Sequence, residues 1–447
     1  MKKFLKNLLI FILLFTIISV NAKINTSFLE NPTYVKSGEK AAKVHVKSKS
    51  NLKLSSWALY DINDSEFFGL YPIDKIKKGV DFKKNISLDD IEDLYMASKN
   101  KLSSLQISIN EEDFEFKNLS RDEIIESILY LLKKDDSYKK NFYYGSNNET
   151  YLKEKISLQE SLCLYTRAVR KIINEENRAS QGYFYKINNG ENTVYLLGSI
   201  HLGITEMYPV KNEIIEALKK SSRIYFEIDP TDSNISKIYE DNMYYQGKGS
   251  LKEDVGDIYD NIKILLIERG IHKEEIDKIR PWAVYNILST DGKNNYGPTL
   301  GVENYFLSLS LMNNIKIDQL ESAKYQADLL QGFDKNKYVL LINELIKEVE
   351  KNGYININKG LYNIQKDWIN AKEDLFNKAI TGDEGSSVSK EYDKMLLNQR
   401  DINMANKIDK ILKNKKEKTV FIVIGAAHLV PENSVIGILK DMGYRVE

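Results

Sequence analysis

From residue 181 onward, apolar runs of strand length alternate with stretches of helical spacing. GYFYKINNGENTVYLLGSIH reads as two strands joined by the turn Asn188-Asn189-Gly190. PVKNEIIEALKKS follows as a helix opened by Pro209. SRIYFEID is a short apolar strand ending at Pro230, and helical segments fill 251 to 290. NIKIDQLES, from Asn314 to Ser322, is a further strand. A long helical stretch from 324 to 412 is interrupted by the polar loop TGDEGSSVS at 381 to 389. TVFIVIGAAH is the last strand, and a helix around SVIGILKDM follows it. This alternation predicts an α/β fold with a largely parallel central sheet flanked by helices.

Residues 23 to 180 have a different texture and predict an additional α+β region. AAKVHVKS alternates like a strand, with His45 an ordinary strand residue. SRDEIIESILYLLKK carries Ile124, Ile125, Ile128, Leu129, Leu131 and Leu132 near helical spacing, and Ser120 with Glu123 predicts a capping box. SLQESLCLYTRAVRKIINEE is a second helix, from Ser157 to Glu176. The polar stretch NEENRASQG, 174 to 182, is the linker candidate before the 181–447 domain.

The first 22 residues carry an address. MKKFLK is basic, Asn7 to Val20 is apolar, and Val20-Asn21-Ala22 suits a signal peptidase. Cleavage after Ala22 is expected, because the run is short for a membrane span of about 20 residues. The sequence thus predicts export to the extracytoplasmic side, secreted or periplasmic, with no stable membrane span in the mature chain. Loss of Lys2, Lys3 and Lys6 turns 64 basic and 64 acidic residues into 61 and 64, net −3. No basic stripe appears, which argues against a nucleic-acid partner. The single cysteine, Cys163, excludes an intrachain disulfide and a four-cysteine zinc site.

The candidate chemistry lies where strands end. Ligand sites in parallel α/β sheets form outside the carboxyl ends of the strands. Two such ends carry Gly-x-x-His: Gly198 with His201, and Gly425 with His428. Glycine there permits a sharp exit and a close backbone approach. RIYFEID supplies Glu227 and Asp229, expected on one side of the chain. Two histidines and a carboxylate are a workable divalent-metal set for zinc, manganese, cobalt or iron. Spacing alone leaves open that the two histidines are buried and only close turns. His272, in ERGIHKEEI, opens a polar helix and reads as a bystander. Ser199 lacks a nucleophile-elbow context and HExxH is absent, which argues against a serine hydrolase and excludes a zincin.

These motifs carry a resemblance. YLLGSIHLG, YPVKNEIIEALKKSSRIYFEID, RPW at 280 to 282, LGVENYF, QLES, LLNQRDINMANKI and IGAAHLVPENSVIGILKDMGYRV resemble the TraB/GumN (TraB/PrgY) family, which includes the TIKI metalloproteases. Residues 23 to 180 lie outside it. The resemblance implies a metal-dependent hydrolase with a fold shared with erythromycin-esterase-like proteins. It marks Gly198, His201, Gly425, His428, Glu227 and Arg400. It implies that His201 and His428 ligate a divalent metal (manganese, zinc or cobalt), with Glu227 a third ligand or the general base. Arg400 would stabilise an oxyanion or grip a substrate carboxylate. Glu321, ending the QLES strand, would stand behind the ligands, with Gln326 and Glu303 as further candidates. The chain departs from relatives with Arg400-Asp401 in place of Arg-Asn, and with Ser199 in place of Thr. A peptide or protein substrate is implied. So is an alternative, peptide sequestering without turnover, suggested by the pheromone-shutdown branch. A third reading makes 23 to 180 the working part of an envelope protein.

Overall fold

A computed structural model describes residues 53–71, 80–289, 298–381, 386–414 and 418–447, besides a two-residue pairing of Thr33–Tyr34 with Val44–His45. The predicted leader, most of AAKVHVKS and the centre of TGDEGSSVS lie outside the described residues. Among the described residues no helix is long and apolar enough to cross a membrane.

The first region is mainly helical here: α1 (Leu59–Phe67), α2 (Leu88–Ser104), α3 (Arg121–Leu132) and α4 (Leu158–Glu175). Its helix starts follow the expected chemistry with one exchange. Ser157 and Glu160 form the reciprocal box at α4. At α3, Ser120 caps the Glu123 N–H, but the Glu123 carboxylate instead accepts from the N–H groups of Lys117, Asn118 and Leu119.

The remainder builds a five-stranded sheet. Its strands are β1 (Tyr183–Asn189), β2 (Asn192–Ser199), β3 (Arg223–Phe226), β4 (Lys316–Gln319) and β5 (Thr419–Gly425). The spatial order is β1-β2-β5-β3-β4, parallel except for the antiparallel edge pair β1-β2. The fold is therefore α/β, as the alternation of runs predicts. β5 lies at the centre and is buried from Val420 to Gly425. Because side chains alternate along a strand, Phe421 and Val423 enter one core layer while Val420, Ile422 and Ile424 enter the other. Around the sheet pack α5 (Asn212–Lys220), α6 (Val302–Met312), α7 (Ala323–Gly332), α8 (Ile355–Ile369), α9 (Ser387–Leu412) and α10 (Val435–Asp441).

Two local expectations are corrected. The β1-β2 loop is Gly190-Glu191, because Asn188 and Asn189 stay in the ladder opposite Thr193 and Asn192. Gly190 takes the left-handed φ of +61° that the tight loop requires. Pro209 does not open α5. Ser180 donates to the Pro209 carbonyl and accepts from the Lys211 N–H, which holds this stretch extended until the helix starts at Asn212.

NEENRASQG is tied into the structure. Gln181 and Gly182 donate backbone hydrogen bonds to the carbonyls of Ile369 and Trp368 at the end of α8. One hydrophobic core runs from Leu54 in the first region to Ala427 beyond β5.

Candidate functional site

β2 and β5 are adjacent and parallel, with Gly198 opposite Ile424 and Ser199 opposite Gly425. The two Gly-x-x-His motifs thus leave the sheet side by side, offset by one residue in register. The second motif winds its extra step into a 3-10 turn, Ala426–His428. A 3-10 turn advances about 2.0 Å per residue, against roughly 3.3 Å for a strand.

The glycines act through close approach. A Cβ on Gly198 would meet the Ala426 Cα at 3.1 Å. A Cβ on Gly203, just past His201, would lie 1.6 Å from the Leu300 carbonyl oxygen. That approach, with the Val302 N–H donating to Ile200 O at 3.1 Å, fixes the His201 loop against the start of α6. From the other side, Trp368 Nε1 donates to Gly198 O and Gln365 Nε2 to Leu202 O, each at 2.6 Å.

Each histidine has a carboxylate beside its Nδ1. His428 Nδ1 lies 2.5 Å from Asp401 Oδ1, and His201 Nδ1 lies 2.8 Å from Glu303 Oε1. The second contact is an ion-pair separation that lacks hydrogen-bond alignment. Both Nε2 atoms are buried without a hydrogen-bond partner. Burial favours neutral His201, but the Glu303 carboxylate outweighs it and raises the imidazole's pKa above its ordinary value.

Glu227 sits directly after β3, the strand on the other side of β5. Its Oε1 accepts from the Gly425 N–H at 2.7 Å and lies 3.9 Å from His428 Nε2. Its Oε2 accepts from Arg400 Nη2 at 2.7 Å and from Gln326 Nε2 at 3.2 Å. Burial pushes its pKa up, but the Arg400 guanidinium, the two imidazoles and the Gly425 N–H outweigh burial and hold it at about 2. Arg400, on α9, is wholly buried; its Nε and Nη2 each lie 2.9 Å from Glu321 Oε2. Gln326, on α7, also donates to Glu321 Oε2 and accepts from the Tyr239 hydroxyl.

The structure thus gathers His201, His428, Glu227, Arg400, Glu321, Gln326 and Glu303. It does not bring in Asp229, whose carboxylate closes a turn by accepting from the Thr231 N–H and hydroxyl. Asp229 and Glu227 therefore serve different places, because the chain turns immediately after β3. His272 precedes the short helix Lys273–Ile276 without a side-chain capping hydrogen bond, and Ser199 Oγ is buried without a partner. Asp401 was missed as a working residue. Nothing in the local sequence points it at a histidine 27 residues away.

Among the described residues no group of three or more His, Cys, Asp and Glu side chains is arranged to hold a metal ion. The fit to a divalent metal rests on the two imidazoles. With Nδ1 facing a carboxylate, a neutral ring carries its lone pair on Nε2, the orientation that outer carboxylates impose on metal-binding histidines. Two buried, unpartnered ring nitrogens at adjacent strand ends are unusual without a ligand.

The sequence pattern of the TraB/PrgY/gumN family matches residues 183–447. Comparison with curated proteins and with solved structures gives no match in either set.

Proposed function

The chain belongs to the TraB/PrgY/gumN family, and from that premise we propose that it is an exported, metal-dependent hydrolase that cuts peptide bonds. One observation carries the reading: His201 and His428 leave neighbouring strands with Nδ1 facing a carboxylate and Nε2 buried and unpartnered. These two nitrogens would hold a divalent cation such as manganese, zinc or cobalt. When bound, the ion would supply Lewis acidity and an activated water.

The chain's own groups then divide the work. Asp401 and Glu303 keep the imidazoles oriented. Glu227, ionised far below neutrality and accepting hydrogen bonds on both oxygens, suits a ligand or a fixed negative charge better than a general base. Arg400 lies between Glu227 and Glu321 and balances their charge. The Glu303 side chain is 21% exposed while His201, Glu227, Arg400 and His428 range from 0% to 8%, so substrate would approach past Glu303. Export rests on the basic and apolar N-terminal 22 residues.

A second reading is peptide capture without turnover. It is favoured by the occupied oxygens of Glu227, which leave no evident base. The deciding experiment loads the purified chain with manganese or zinc, desalts it, and measures retained metal and cleavage of a denatured protein mixture. His201→Ala and His428→Ala are run beside it. Metal retention and cleavage lost in both variants is expected. A peptide that binds and is recovered whole would favour capture, and unchanged cleavage in either variant would sink the hydrolase reading.

A further inference from the structure

The family match begins at residue 183 and assigns nothing to the first region. Yet that region touches two of the segments that bear on His201. The α6 helix carries Glu303 and Tyr305, two positions apart. At 3.6 residues per turn they point about 200° apart, so one faces His201 while the other faces away. The Tyr305 hydroxyl donates to Asp64 Oδ1 on α1 at 3.1 Å. Asp64 is fully buried and paired with Arg170 of α4 at 2.7 Å. Arg170 also holds Asp61, which in turn pairs with Arg167. The Phe67 ring packs against both Tyr305 and Tyr208, with centroids at 4.8 and 4.9 Å. Tyr208 donates to the Leu300 carbonyl, the same atom that Gly203 admits.

A second contact reaches the chain just beyond His201. Lys101 Nζ, from α2, donates to the Thr205 carbonyl at 2.6 Å. Lys101 is buried, so this is not a casual surface contact. Gly69 also packs on Thr205, with space for a Cβ only 3.0 Å from its methyl.

We propose that the first region is an internal clamp on His201: Asp64, through Tyr305 and α6, and Lys101, through Thr205, are positioning residues that hold the His201–Glu303 pair together. The clamp is aimed at one histidine. α6 also packs on β5, with the Phe306 and Phe421 ring centroids 5.3 Å apart, but the Asp64 and Lys101 contacts themselves fall on neither β5 nor α9, from which His428 and Asp401 hang. The inference rests on the reading of His201 as a working residue, but its test needs neither metal nor substrate.

The chain has four histidines, so selective 15N-histidine labelling of the metal-free protein gives few signals, assignable with single His→Gln variants. In the wild type, His201 is expected to give one sharp set of ring-nitrogen signals. Tyr305→Phe removes one hydroxyl and keeps the ring, so the fold is retained; Asp64→Asn and Lys101→Met are compared with it. The expected result is that His201 ring-nitrogen signals shift and broaden in Tyr305→Phe and Asp64→Asn, while His428 signals stay where they were. Unchanged His201 signals in folded Tyr305→Phe would overturn the clamp. Equal changes at both histidines would overturn it too, because general loosening would then explain them. Failure of metal binding or cleavage in the wild type would strike the hydrolase reading alone.

Discussion

Asp401 Oδ1 lies 2.5 Å from His428 Nδ1, and the pair is wholly enclosed. The two residues come from α9 and from the turn after β5, elements that meet only in the folded sheet. An aspartate there gives the histidine a full negative charge to lean on. Burial raises the Asp401 pKa, against the opposing pull of His428. The pair is therefore costly to assemble, which fits a device kept for orientation more than for stability.

Replacing Asp401 tests that role. Outer carboxylates on metal-bound histidines typically contribute 10–100-fold in metal affinity. Asp401→Ala should weaken manganese binding by about that factor in a calorimetric titration, and Asp401→Asn should fall between it and wild type. Wild-type affinity in Asp401→Ala would remove Asp401 from the site.

Arg400 is a structural necessity as well as a candidate site group. Removing one member of a buried ion pair typically costs about 3–5 kcal/mol, and here two enclosed carboxylates would be left facing each other. Arg400→Met should lose about that much in denaturant unfolding. Adding Glu227→Gln to it should recover part of the loss, since one of the two charges disappears.

Acid should loosen the protein through Glu227. Its folded-state pKa of about 2 lies below the ordinary 4.5. The folded chain therefore resists protonation that the unfolded chain accepts. The resulting stability is fully present above pH 4.5 and drains away as pH falls toward 2. Unfolding free energies at pH 7, 4.5 and 3 should show a shallower acid loss in Glu227→Gln than in wild type.

Lys101 should act in the opposite range. Burial lowers its pKa from 10.5 to about 7, against the pull of Glu206. Between pH 7 and 10.5 the unfolded chain holds a proton that the folded chain lacks. Stability from this group therefore rises with pH across that window. Lys101→Met should flatten the rise, read from denaturant midpoints at pH 7, 8.5 and 10. A slope identical to wild type would mean that Lys101 stays charged when folded.

What could be read from the chain follows from how far each signal travels. Strand β5 is an unbroken apolar run between polar flanks, so its central burial is legible in its own seven residues. The two histidines and Glu227 were legible because parallel strand ends converge by topology. Glu303 and Asp401 were less so, because their partners are set by the packing of α6 and α9 across the sheet. Asp229 misled for a local reason: Asp-Pro-Thr closes its own turn before the side chain can reach the site. Pro209 misled because its extended setting is imposed by Ser180, 29 positions earlier. The union of the first region with the sheet left little mark at NEENRASQG, since its polar residues anchor by hydrogen bonds, through the backbone at Ser180, Gln181 and Gly182 and through the Asn174 side chain, which accepts from the Asn212 N–H, and its one apolar residue, Ala179, is small.

The pairing of Ser199 with Gly425 makes the sheet a gauge block. The ladder sets β2 and β5 about 4.8 Å apart whatever their side chains, so the two motifs leave the sheet side by side although 226 residues lie between their histidines. A slip of β5 by one residue would shift His428 by roughly 3.3 Å and turn every β5 side chain to the wrong layer. The side-by-side exit of two distant motifs and the intolerance of those seven paired positions to a slip are two faces of one construction.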